Sequence, residues 1–276
     1  MQKTLTIILP ALLIMLNLQY SNALADTTSD SPANAEATQK ETTRNKTKPS
    51  SKITLKEILD RYYQAIGGEK AWQSLKTLKF TGSMYTKDAT FKTAALYKRP
   101  DLCRIDFQVG RLYFMEAYDG KIPWQMDPGT RSGPTILEGK RAKEMIDTCD
   151  FDGSLIDHEE KGHQIKYLGV EEVEGRWAYA LEVKTATGNT DKYYLDAETY
   201  LPFMVKGKTT IQDKIVNTTI HLGEYIEIGE ITIPFSYEFI VDGNPSTETL
   251  KIKTLELNPE IEDDMFKMPK RPQDLR

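Results

Sequence analysis

Residues 54–85 read TLKEILDRYYQAIGGEKAWQSLKTLKFTGSMY, and the hydrophobic period changes halfway along. Leu55, Ile58, Leu59, Tyr62, Tyr63 and Ile66 recur three and four apart, which gathers them on one face of a helix with charge on the other. Thr54 and Glu57 have the spacing of a capping box, in which each side chain satisfies a backbone N–H at the helix start. Gly67-Gly68 supplies the left-handed turn that ends the helix. A short second helix is predicted around Ala71, Trp72 and Leu75. The period then drops to two. Leu78, Phe80, Gly82 and Met84 alternate with Lys79, Thr81, Ser83 and Tyr85, the pattern of a half-buried strand. Most of the chain beyond is also strand-like, so the helix reads as an apolar body against which a large curved sheet closes.

Upstream of this stretch, Lys3 precedes an apolar run ending at Leu16, and Ala23-Leu24-Ala25 stands before Asp26. That pattern predicts a secretory signal peptide, residues 1–25, cleaved after Ala25, and so an exported protein. The run falls short of the roughly 20 apolar residues that a membrane-spanning helix needs. Residues 26–51 hold no aromatic, Leu or Val residue and are rich in Thr, Ser, Asn, Ala and charge. Such a segment cannot bury enough apolar area to offset its ordering entropy, and it is expected to be a disordered linker. The folded domain is expected over 52–276, in a chain of 276 residues that is 39% hydrophobic and 28% charged, an ordinary globular composition.

Downstream, short alternating runs predict strands at 90–98, 102–109, 112–118 and 121–126, with Asp119-Gly120 as a hairpin turn. Residues 129–135, rich in Gly, Ser, Thr and Pro, read as a loop. Residues 136–150 break the pattern: Leu137, Arg141, Met145 and Ile146 sit at helical spacing, predicting a helix over a face or open end of the sheet, and Leu155-Ile156 could add a helical turn. Strands resume at 164–170, 176–184, 190–196, 203–211, 215–226, 231–241 and 247–256. The result is a mainly β chain with helices (α+β): a half-open antiparallel β-barrel of about 11–12 strands in a meander, with an N-terminal helix and an inserted lid helix. No βαβ alternation points to a parallel sheet.

Little in the chain speaks for catalysis. His158, His163 and His221 are the only histidines, and none has HExxH or metal-ligand spacing. Residues 133–141 resemble a phosphate loop but are one residue too long, with Arg141 where Ser or Thr would hold magnesium. Asp147, Asp150 and Asp152 miss the spacing of a calcium loop and read as caps and turns. No nucleophile–base pair supports a hydrolase. Net charge is −5, or −6 once Lys3 leaves with the leader, which does not fit a nucleic-acid partner.

Several stretches together resemble one family: AIGG at 65–68; Tyr118-Asp119-Gly120 with Trp124; DFDGSLIDHEEKGHQIKYLGVEEVEGRWAYALEV at 150–183; YYLDAETYLP at 193–202; IPFSYEF at 233–239; and DDMFKMP at 263–269. In this order they are similar to the LolA-like periplasmic outer-membrane lipoprotein-sorting proteins (LolA/LolB type). The resemblance implies a non-enzymatic carrier without cofactor, whose apolar concave face takes acyl chains of lipids or lipoproteins. It also implies an inner-membrane transporter and an outer-membrane acceptor as partners, and a chain acting as a monomer. A lipid or envelope-stress sensor of the same fold, working with a membrane partner, is the alternative.

On this reading the strand alternation and the leading helix make Leu59, Tyr62, Phe80, Met84, Ile105, Phe107, Tyr113, Met115, Trp124, Leu181, Val183, Phe235, Tyr237 and Phe239 the wall of the cavity, and Leu137, Met145 and Ile146 its lid. Cys103 and Cys149, the only cysteines, read either as a bridge tying the lid helix to the sheet or as two buried thiols.

Overall fold

The structure, a computed structural model, describes residues 48–128, 133–211, 214–244 and 246–269. The predicted signal peptide, most of the predicted linker and four residues of the predicted 129–135 loop lie outside them.

Helix α1 (Leu55–Ala65) begins with the expected capping box: the Thr54 hydroxyl accepts from the Glu57 N–H, and the Glu57 carboxylate accepts from the Thr54 N–H at 2.8 Å. Helix α2 is Glu69–Ser74. Between them the chain must pass close to the sheet. A Cβ on Gly67, at φ +97°, would stand 1.7 Å from the Glu230 carbonyl oxygen, so only glycine fits this contact. The Ile66 carbonyl accepts from the Thr232 N–H and from the Trp72 indole N–H, each at 2.9 Å, which locks the helix pair to the barrel floor.

Thirteen antiparallel strands form one sheet: β1 (Thr77–Tyr85), β2 (Thr90–Lys98), β3 (Leu102–Val109), β4 (Leu112–Tyr118), β5 (Pro123–Met126), β6 (Thr135–Ile136), β7 (Gln164–Val173), β8 (Arg176–Lys184), β9 (Thr190–Asp196), β10 (Pro202–Ile211), β11 (Lys214–Ile228), β12 (Ile231–Val241) and β13 (Glu248–Leu257). The order 6-5-4-3-2-1-13-12-11-10-9-8-7 joins two meanders through the β1–β13 pair and leaves β6 and β7 as edges. The β1 strand bulges at Thr81/Gly82, where a Cβ on Gly82 would come within 2.3 Å of the Lys251 carbonyl oxygen, and this close approach lets the sheet curl. Strand count exceeds the sequence expectation because two-residue β6 is too short to show alternation.

Helix α3 (Gly139–Thr148) is shorter than the predicted 136–150 helix: Thr135–Ile136 pair with β5, and Cys149 caps the far end. Residues 151–162 form successive turns without a helix at Leu155-Ile156. Residues 137–163 thus connect the two free edges, crossing the concave side. A single large cluster contains the apolar faces of α1, this crossing segment and the concave sides of both meanders. The convex side carries two smaller clusters. One has Met115, Ala117 and Trp124 packed with Met268, and Trp124 donates to the Phe266 carbonyl at 2.9 Å from the short 3-10 turn Asp263–Phe266.

Candidate functional site

The concave side is built by strand parity. The register Phe80↔Ala95↔Ile105↔Glu116 and Leu78↔Tyr97↔Cys103↔Tyr118 places those residues on one face. Of the predicted wall, Leu59, Tyr62, Phe80, Met84, Ile105, Phe107, Leu181, Val183, Phe235, Tyr237 and Phe239 meet in the main cluster. Tyr113, Met115 and Trp124 do not. Tyr113 is 43% exposed, and Met115 and Trp124 belong to the convex cluster, so these three are corrected out of the wall. The physical reason is that Leu112–Met115 is apolar at every position and β4 is buried on both faces from Phe114 to Tyr118, so the run does not reveal its parity; Trp124 on β5 pairs with Ala117 and shares its outward face. Phe114, Glu116 and Tyr118 take the inward places.

The predicted lid residues Leu137 and Met145 are buried in the main cluster and Ile146 packs against it. Sequence reading missed Phe151, Leu155 and Ile156, equally buried, because turns carry apolar residues with no period to find. A cavity of about 50 Å³ lies between Tyr62, Trp72, Phe151, Leu222, Ile233 and Tyr237. That is on the order of two water volumes, against roughly 300–1,000 Å³ for ligand sites. A larger ligand fits this cavity only if the crossing segment or α1 moves outward.

Besides its apolar packing, a disulfide and polar side chains hold the crossing segment. Cys149 is bonded to Cys103 with Cα atoms 5.0 Å apart, inside the span a disulfide accepts. Arg141 pairs with the buried Glu116 carboxylate at 2.5 Å. Asp147 is wholly buried; its Oδ2 accepts from the Thr187 hydroxyl and from Asn189 Nδ2, both at 2.6 Å, while Oδ1 is buried without a hydrogen-bond partner. Arg99 donates to both oxygens of buried Asp152 at 2.7 Å, and to the Leu75 and Trp72 carbonyls at 2.6 and 2.8 Å. Its guanidinium lies 4.8 Å from the centre of the Phe151 ring. Lys161 bridges Asp150 at 3.0 Å and Asp152 at 3.5 Å. Tyr63 donates its hydroxyl to the Leu155 carbonyl at 2.8 Å. One side of α3 is therefore tied to β3 and β4, and Asp147 ties it to the β8–β9 turn.

Burial dominates the titration of this network. It pushes the Glu116 carboxyl up to about 8 against the opposing Arg141 charge, with Glu144 adding to the rise. Asp147 is pushed up to about 7 by burial against the side-chain donors Thr187, Asn189 and Thr185, and Asp191 to about 7 by burial and the Asp147 charge. His163 accepts the Ala186 N–H on Nδ1 at 3.1 Å, and burial pulls it down to about 4. His221 stands between Glu174 and Glu238, at 3.0 and 3.4 Å. Among the described residues no group of three or more His, Cys, Asp or Glu is placed to hold a metal ion. Asp147 and Asp152, which the near-miss calcium spacing singled out, are engaged in hydrogen bonds and ion pairs instead.

An open, strongly curled antiparallel sheet with a helix on its floor and a strap across its mouth defines the class. No family model matches the chain, and no curated protein matches it. Solved structures do. The chain is similar to a LolA superfamily protein from Nitrosomonas europaea at 14% identity and a TM-score of 0.53, over 78% of this chain and 98% of that one. It is equally similar to a putative outer membrane lipoprotein-sorting protein domain from Vibrio parahaemolyticus, with 14% identity, a TM-score of 0.52, and 76% and 94% covered. A DUF1329 family protein from Desulfovibrio piger gives 14% identity, a TM-score of 0.52, and 80% and 98% covered. The fold is that of the LolA superfamily structures.

Proposed function

We propose that the protein is an exported, periplasmic carrier that takes acyl chains of lipids or lipoproteins onto its concave face and delivers them toward the outer membrane. The observation that carries this reading is the predominantly apolar concave face shared by both meanders, covered by a segment tied down by side-chain hydrogen bonds, ion pairs and one disulfide. Burial of an acyl chain there supplies roughly 0.8 kcal/mol per CH₂, so a single chain can approach micromolar affinity without a covalent bond or cofactor. Closure over the same residues competes with the ligand, and that competition permits release. The wall is Phe80, Met84, Ile105, Phe107, Leu181, Val183, Phe235, Tyr237 and Phe239; Leu59 and Tyr62 of α1 form its floor; Leu137, Met145 and Ile146 cover it. An inner-membrane donor and an outer-membrane acceptor follow from such a role. Native mass spectrometry of protein isolated gently from the exporting cell is expected to find a co-purified acyl lipid. Protein that carries no lipid and takes up none from mixed micelles contradicts the proposal.

A further inference from the structure

A second concavity, of about 540 Å³, opens on the outer side of α1, between that helix and the turns that follow α3. Leu55, Leu59 and Tyr63 form its apolar floor. Its rim carries Asp60, Glu69, Asp157, Glu159 and Glu160 against a single cation, Lys56, and His158. This one cleft thus concentrates a charge close to the −5 of the whole chain. Lys56 is already paired with Asp60 at 2.6 Å, and Asp157 accepts from Gln73 at 2.7 Å. Glu69, Glu159 and Glu160 have no ion pair among the described residues. Crowding is evident from the neighbours: Glu69, Asp157, Asp60 and Glu159 all add to the burial that raises the Tyr63 hydroxyl, and Asp157 and Asp60 do the same to Glu69.

We infer that this cleft docks a basic amphipathic segment of a partner protein, its Lys or Arg side chains on the carboxylate rim and its apolar side chains on the half-buried Leu55 and Tyr63. Charge complementarity selects the occupant: a field of one sign over a low-dielectric floor attracts cations and repels an anionic bilayer surface. The inference goes beyond acyl carriage and stands without it. If both hold, the partner touches the wall that includes the crossing segment, since Tyr63 holds Leu155 and Gln73 holds Asp157 across this cleft.

The test is fluorescence anisotropy with two labelled synthetic peptides, one of mixed Lys and Leu and one of mixed Glu and Leu, on the full chain and on E159K/E160K. Glu159 and Glu160 are exposed, so the double variant is expected to keep the wild-type Tm. The Lys/Leu peptide should bind at low salt, weaken toward about 0.3 M salt as screening shortens the field, and lose about tenfold or more in affinity on the variant. The Glu/Leu peptide should not bind. Equal affinity of the Lys/Leu peptide for both proteins, or none for wild type, overturns the inference. Acyl-probe binding measured on the same variant should be unchanged, so loss of peptide binding and failure of the acyl reading are told apart.

Discussion

At the scale of single residues, the energetics turn on which charges are buried. Asp152 is wholly buried and meets Arg99 through two parallel hydrogen bonds, with Lys161 behind it. Removing the cation leaves a desolvated carboxylate, so Arg99→Ala is expected to lower stability by about 3 kcal/mol, read by urea denaturation. Lys56→Ala, which breaks an exposed pair, should leave the midpoint where it is; equal effects from the two would contradict this account. Asp191 is a carboxylate placed beside another, Asp147, and under Gly207. Asp191→Asn keeps its shape and removes that repulsion. It should raise stability at pH 8 by on the order of 1 kcal/mol, discounted for partial exposure, and change it little at pH 5. A loss of stability at pH 8 would show that the charge is needed. Neither Arg99–Asp152 nor the Glu116–Asp147–Asp191 group was legible in the sequence. Nothing local marks a carboxylate as buried; Arg99 stands 53 residues from Asp152, and the donors to Asp147 stand 38 to 42 residues away.

At the scale of elements, helix α1 was the most legible because cap, period and terminating glycines all agree, and most strands were legible because one face is wet. What failed did so where alternation ends. From Phe114 to Tyr118 strand β4 is buried on both sides, so alternation does not tell that Tyr113 and Met115 face outward, and Trp124 of β5, paired with Ala117, shares that outward face. Strand β6 is too short, and the cover at 151–156 has no regular period. The Cys103–Cys149 bond, whose sequence separation is 46, is the one covalent tie on the crossing segment among the described residues. Reduction frees a loop worth on the order of 4 kcal/mol in the chain-entropy model. Reduced protein, or Cys103→Ser/Cys149→Ser, should show a matching fall in unfolding free energy and faster release of a bound acyl probe. Unchanged stability after complete reduction, or free alkylation of both thiols without reductant, would contradict the bond's role.

At the scale of the whole molecule, several carboxyls are folded away with raised pKa values: about 8 for Glu116 and about 7 for Asp147, Asp191 and Glu248. The native state therefore binds more protons than the unfolded chain from about pH 4 up to pH 8, and stability falls as pH rises through that range. His163, lowered to about 4, works the other way, but only below about 6.5. The carboxyl contribution is thus cleanest between pH 6.5 and about 8.5, where Tm should decline; a rise across that window would mean the carboxyls are not held protonated. The sheet, its helix floor and its strap make one apolar interior, and the central claim is that an acyl chain occupies it. The three tryptophans report on this directly. Trp72 lines the interior, Trp124 lies on the convex side, and Trp177, whose ring sits 5.4 Å from Lys48 Nζ, lies outside the main cluster. Titration with a doxyl-labelled fatty acid should saturate and quench the fluorescence of W124F/W177F, which retains Trp72 alone, while leaving W72F/W177F, which retains Trp124, unquenched; quenching that follows Trp124, or none in either variant, would contradict an acyl-binding concave face.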